Sequence, residues 1–130
     1  MPAKVSGSET RIMLGQDGHF WVRALVNGQR RRFLIDTGAT LTTISEDLAT
    51  QAGVPPSTDT RPVVLRTANG TVQARLGRIQ RLEVGNVLAR DTSAIIAPDL
   101  GDTNVLGMNF LSRLASWRVE GRVLVLTPKH

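Results

Sequence analysis

Apolar and polar residues alternate with a period of two through most of this chain, and glycine-bearing turns cut the alternation at short intervals. A helix cannot use such a pattern, because its apolar stripe repeats every 3.6 residues, whereas a strand with one face on a core repeats every two. HFWVRALV (19–26) and RRRFLID (30–36) flank Asn27-Gly28, a dipeptide that closes hairpins by accepting positive φ. RPVVLRT (61–67) and TVQARLGRIQRLEVG (71–85) flank a second tight turn, ANG at 68–70. Gly85-Asn86 leads into VLARDTSAIIA (87–97), and ASWRVE (115–120), Gly121 and RVLVLTP (122–128) close the chain. Helix is scarce. SEDLATQAG (45–53) has Ser45 as N-cap, acids in its first turn and Gly53 as a stop. GMNFLSRLA (107–115) is a second candidate, and VPPSTDTRP (54–62) is a polar, proline-bounded loop. The residues predict a mostly antiparallel β domain, a small barrel or a sandwich.

Length and composition narrow the function. At 130 residues and 41% hydrophobic content the chain makes one globular domain with a core of its own. No apolar run approaches the roughly 20 residues of a spanning helix, and MPAKVSGSET is too polar for a signal peptide. The chain is expected to be soluble as given, with an anchor or export segment of a longer protein left open. Cysteine is absent, which excludes disulfides, thiolate metal sites and a cysteine nucleophile. The two histidines, His19 and His130, are too few for most metal or triad chemistry. The net charge of +5 comes from 16 basic residues, of which only Lys4 and Lys129 are not arginine. They are spread along the strands, apart from Arg30, Arg31 and Arg32, and aromatics make up only 4%. Solvated strand faces explain this better than a nucleic-acid patch. For Arg30–Arg32, solvent and an acidic partner both remain open.

One acid breaks the apolar pattern. In FLIDTGAT (33–40), Asp36 follows an apolar strand and precedes Thr37, Gly38 and Ala39. A lone buried charge is costly, so such a placement marks a site or a satisfied turn cap. Thr37 offers a hydroxyl to nearby backbone, Gly38 permits close approach, and the amides of Ala39 and Thr40 could aim at a carboxylate oxygen.

Asp36-Thr37-Gly38-Ala39 after an apolar strand resembles the active-site motif of retropepsin-like aspartic proteases. NVLGMNFLSRL (104–114) is similar to that family's second signature, in which Leu106 and Gly107 would support the aspartate loop. Between them, RTANGTV (66–72) stands where the family carries its flap, with Thr67, Ala68, Asn69 and Gly70 at the tip. The resemblance covers roughly residues 10–127 and is nearest to the bacterial single-domain branch, many of whose members are membrane-anchored by a preceding segment. It implies an all-β fold, a small closed antiparallel barrel of the retropepsin or acid-protease type with one or two short helices. Residues 1–9 would then be an N-terminal extension, an interface arm or linker, and 10–130 the protease domain.

The resemblance also implies the chemistry: a peptide hydrolase that activates water between two carboxylates sharing one proton, without metal or cofactor. The chain has a single Asp-Thr-Gly, and its near-copy Asp91-Thr92-Ser93 lacks the glycine and reads as strand. The second carboxylate is therefore expected from a second copy, each subunit contributing Asp36 across a two-fold axis. In the family, chain termini interleave at that interface. RVLVLTP and the first residues fit that role or that of an intrachain edge strand. The expected partners are the chain itself and a peptide or protein substrate, with no nucleic acid and no membrane segment in this chain. The location is unreadable: soluble, or the periplasmic or cytoplasmic part of an anchored bacterial protein. The alternative function is an inert dimerisation or peptide-binding module of the same fold. Two other rivals fit less well. A haloacid-dehalogenase-type phosphatase would need an acid at position 38 and a strand–helix alternation; a purely structural β protein would need only a turn at Asp36.

Overall fold

Barrel closure here depends on a short strand that reaches its neighbours from far along the chain. The computed structural model describes residues 3–59, 61–67, 70–98 and 103–129. In chain order its elements are β1 (Lys4–Ser6), β2 (Glu9–Met13), β3 (Phe20–Val26), β4 (Gln29–Ile35), β5 (Thr42–Ser45), α1 (Glu46–Ala52), β6 (Val63–Thr67), β7 (Gly70–Val84), β8 (Val87–Ala97), β9 (Asn104–Leu106), α2 (Met108–Leu111), β10 (Ser116–Glu120) and β11 (Val123–Thr127).

Strands β3-β4-β9-β5-β8-β7 lie side by side, and β7 returns to β3 through Leu25↔Glu83 and Val26↔Leu82. That last pairing closes the ring and leaves no open edge around it. Most pairings are antiparallel. The two exceptions, β4–β9 and β5–β8, fall where the aspartate loop sits. Strand β9 lies between β4 and β5, pairing Phe33↔Asn104, Leu34↔Val105 and Ile35↔Leu106 on one side and Thr43↔Val105 on the other. The loop joining β4 to β5 must therefore arch over the end of β9.

Period two decides what faces in. Val22, Ala24 and Val26 of β3, Phe33 and Ile35 of β4, and Ile79, Leu82 and Val84 of β7 are buried together. The helices plug this core with Leu48, Ala49 and Ala52 from α1 and Phe110 and Leu111 from α2. Helix α1 begins as its sequence predicts: the Ser45 side chain accepts from the Leu48 amide at 3.1 Å, and Gly53 ends it at φ 68°. Helix α2 is shorter than the 107–115 read from the sequence, ending at Leu111. The Asn-Gly hairpin turn also forms, with Asn27 at φ 48° and Gly28 at φ 87°. Strand β7 is 15 residues long; one part walls the barrel and the other pairs with β6 as a hairpin outside the ring.

A second sheet runs β1-β2-β11-β10. Residues 4–6, read from the sequence as part of an extension, form β1 along β2. Strand β11 differs from both sequence-based expectations, for it is neither open to another chain nor at an edge. It is bonded to β2 on one side and β10 on the other. Among the described residues the outer strands are β1 and β10, and β10 exposes Trp117 (36%) and Val119 (52%). No helix of the described residues is long and apolar enough to cross a membrane.

Candidate active site

Strand β4 carries its apolar side chains into the core up to Ile35, so the chain leaves the barrel wall with Asp36 as its first polar residue. The Asp36 amide donates to the Leu106 carbonyl (3.0 Å), which fixes the backbone at the mouth of β9. The side chain then folds back on the loop, Oδ1 accepting from the Gly38 amide at 2.8 Å. The Ala39 amide donates to the Asp36 carbonyl at 3.2 Å, so the expectation that it aims at the carboxylate is corrected; that role falls to Gly38. This is an Asx-type turn, closed by the aspartate's own neighbours. Among the described residues Oδ2 receives no hydrogen bond, and Thr37 is exposed with its hydroxyl likewise unbonded.

The loop is held from beneath by the start of α2. Ala39 and Thr40 offer their carbonyls to the amides of Met108 (2.7 Å) and Asn109 (3.0 Å), groups that a helix start leaves unpaired. Gly107 makes this approach possible. A Cβ there would stand 2.6 Å from the Leu41 carbonyl carbon and oxygen and 2.8 Å from the Ala39 oxygen, all backbone atoms. Leu106 is fully buried next to it.

Three polar side chains, not singled out from the sequence, complete the support. Thr42 is fully buried, accepting from the Gly107 amide (3.2 Å) and donating to Asn109 Oδ1 (2.9 Å). The same Oδ1 accepts the Thr42 amide at 2.9 Å, while Asn109 Nδ2 donates to the Ser93 carbonyl at 2.7 Å. Asn104, 2% exposed, accepts the Ser45 amide at 2.9 Å and so ties β9 to β5. Their signal in the sequence is slight: short polar residues inside apolar runs, whose partners lie elsewhere in the chain.

Of the residues expected at the site, Asp36, Thr37, Gly38 and Ala39 are thus brought against Leu106 and Gly107. Segments 35–45 and 103–111, which build the loop and its support, contain no acid other than Asp36. Asp91 lies exposed in β8 at φ 53°, and Thr92 beside it is buried and accepts from Arg113. The four-residue hairpin tip 67–70 is described only at its flanks, Thr67 pairing with Gly70, and Ala68 and Asn69 lie outside the described residues. The hairpin base reaches the aspartate loop through a small apolar cluster, in which Leu41, Val63, Leu65 and Leu76 pack on Ala74, Ile95 and Ala97. No group of three or more His, Asp or Glu suited to a metal ion occurs among the described residues.

A closed six-stranded ring whose aspartate loop arches over an inserted strand, buttressed by a Leu-Gly pair and a short helix, is the architecture of the retropepsin-like aspartic proteases. The chain belongs to the family described as gag-polyprotein putative aspartyl proteases, whose model matches residues 22–113. In three dimensions it resembles a retropepsin-like aspartic protease from Rickettsia conorii, with a TM-score of 0.73 and 25% identity over 97% of this chain and 94% of that one. In sequence it is 34% identical over 99 residues to an uncharacterised protein from the cobV 5′ region of a Sinorhizobium species, covering 75% of this chain and 42% of that protein. An uncharacterised protein of Rickettsia prowazekii is 27% identical over 118 residues, covering 91% of this chain and 51% of its own length. The chain spans about half the length of these curated relatives.

Proposed function

We propose that the protein is an aspartic endopeptidase, active as a homodimer in which the two Asp36 carboxylates meet. The observation that carries this reading is the state of Asp36. One carboxylate oxygen is fixed by Gly38, the other is open, and the loop holds no second acid. A single carboxylate can act as base or as acid but not as both at once; two in contact share one proton, because they cannot both ionise so close together. The ionised member takes a proton from water as that water attacks the peptide carbonyl, and the protonated one donates to the carbonyl oxygen. No metal or cofactor takes part.

Thr37, exposed beside the carboxylate, would tie the paired loops together, and Gly38 and Ala39 would form the floor under the substrate backbone. The β6–β7 hairpin, with Thr67, Ala68, Asn69 and Gly70 at its tip, would close over an extended peptide bound through its main chain. Leu41, Val63, Leu65 and Leu76 would offer apolar contact to its side chains. A second copy would add at the outer strands β1 or β10, since β11 has both neighbours already.

The test is cleavage of an unfolded protein such as casein by the chain and by its Asp36→Asn variant, at several protein concentrations. Cleavage is expected to vanish in the variant while fold and assembly persist, and the wild-type rate is expected to bend upward with concentration where dimers are scarce. Cleavage by the variant would overturn the assignment. Binding of peptide without any cutting by the wild type would identify an inert module of the same fold.

A further inference from the structure

The outer face of the β3–β4 hairpin concentrates positive charge in an arrangement that strand packing alone disfavours. Arg23 and Arg32 are directly opposite one another across the pair, with Arg30 opposite Leu25 on the same face. Like charges at facing positions of an antiparallel pair destabilise it. Among the described residues no carboxylate relieves this: their ion pairs engage Arg11, Arg81 and Arg118 instead. Arg31, next in line, is bonded only to neutral groups, the Arg30 carbonyl at 2.8 Å and the Gln51 side chain.

Arg32 is held in one orientation. Its guanidinium lies 3.8 Å over the Trp21 ring, and that indole is itself fixed by donating to Asp17 Oδ2 at 2.7 Å. A stacked guanidinium keeps its N–H edge free, and that edge matches a carboxylate or phosphate in bidentate fashion. These arginines line a cleft of about 550 Å³ between the hairpin and the start of α1, where Asp47 is also at the surface. Ser45, Thr103 and Asn104 also line it, at the ends of β5 and β9 away from Asp36, so the cleft shares their strands but not the aspartate loop itself. Arg32 precedes Asp36 by four residues of extended chain, about 13 Å.

We propose that this cleft is a docking site for an acidic stretch of polypeptide, whose Asp and Glu carboxylates are gripped by Arg23, Arg30 and Arg32. Charge complementarity selects an anionic occupant, and two features favour peptide over nucleic acid. Trp21 has a ring face covered by Arg32, which removes a platform for base stacking. Asp47 repels the anionic groups of either polymer, but a peptide can offset this by donating backbone N–H groups to that carboxylate, and a phosphodiester backbone has no such donor. The site does not depend on the proposed hydrolysis, and occupancy by an acidic partner would hold that partner beside the protease fold.

The experiment is fluorescence anisotropy of a labelled octapeptide of alternating Asp and Glu titrated with the full chain, its Arg23→Gln/Arg32→Gln variant and its Arg23→Lys/Arg32→Lys variant. Competitors are an oligothymidylate of equal charge and inorganic phosphate, and a labelled lysine octapeptide is titrated separately. The acidic peptide is expected to bind, to lose tenfold or more in affinity with the glutamine pair, and to dissociate at about 0.5 M salt, where the screening length is about 4 Å. The lysine pair is expected to bind several-fold more weakly than the wild type, since it keeps charge but not the fork; it decides the matter if the glutamine pair does not fold. Tighter binding of the oligothymidylate, equal binding of the lysine peptide, or variants that all bind like the wild type would overturn the proposal. Each protein is also assayed on casein. Unchanged cleavage with lost peptide binding separates this site from the Asp36 loop, and failure of cleavage alone leaves it standing.

Discussion

Gly107 shows how narrowly a single position can be fixed. Any side chain there must enter the space of the Leu41 and Ala39 backbone, at 2.6–2.8 Å, and neither can yield without moving the Asp36 loop. Gly107→Ala is expected to cost about 1–3 kcal/mol of stability in urea unfolding, as overpacking does. The proposed cleavage activity should fall further than the stability loss alone explains. Asn109 is the polar counterpart. Asn109→Ala leaves the buried Thr42 amide without its acceptor, an expected loss of about 1–3 kcal/mol by the same measurement. Asn109→Asp keeps the acceptor and loses the donor to Ser93, so it should fall between. Residue-level legibility follows the range of the interaction. Asp36 could be read because its turn is made by its own neighbours, Gly38 above all. Thr42 and Asn109 could not, because they meet from positions 67 residues apart.

Elements were legible where local chemistry sufficed. The Asn27-Gly28 hairpin, the run 87–97 and helix α1 form where alternation, turn residues and capping place them. The α1 cap is testable: Ser45→Ala removes the acceptor for the Leu48 amide and is expected to cost about 1 kcal/mol in thermal or urea unfolding, with Ser45→Asp retaining most of it. An unchanged midpoint in the alanine variant would show that the cap contributes nothing. The short strands β5 and β9 left no such mark. Four and three residues cannot display a period, and both exist because the barrel supplies hydrogen-bond partners on either side. The parallel pairings of β4 with β9 and β5 with β8 escaped notice for the same reason, since antiparallel hairpins announce themselves in turns and parallel neighbours do not. Strand β11 alternates well enough to be seen, but its interior position depends on β2, more than a hundred residues earlier.

At the scale of the molecule, the β1-β2-β11-β10 sheet is held across its strands by an ionic link. Glu9 on β2 accepts from Arg118 on β10 at 3.0 Å and from Arg11 at 3.1 Å. The hydrogen bond from Arg118, more than any other contact, holds the Glu9 carboxyl below its ordinary 4.5. Asp17 is lowered from 3.8 chiefly by the Trp21 indole. A carboxyl lowered in the folded state stabilises above its unfolded pKa, and that contribution is lost as pH falls through the folded value. Melting temperature is therefore expected to decline on acidification from about pH 4.5 downward, modestly because Glu9 is only partly buried and Asp17 is exposed. Glu9→Gln should flatten the upper part of that decline. Identical melting curves for the two proteins between pH 3 and pH 5, read by circular dichroism, would remove Glu9 from the account.

Strand β9 also orders events in time. During synthesis the ribosome releases Asp36 well before the segment that must slip between β4 and β5, and Phe33 waits for Asn104, 71 residues later. At about 5–20 residues per second, that interval lasts roughly 4 to 14 seconds. Until then no scaffold exists to fix the aspartate, so a nascent polypeptide cannot present the arrangement that the finished one holds. Whatever the assembled protein does with that aspartate, its own unfinished copies on the ribosome are without the means to do it.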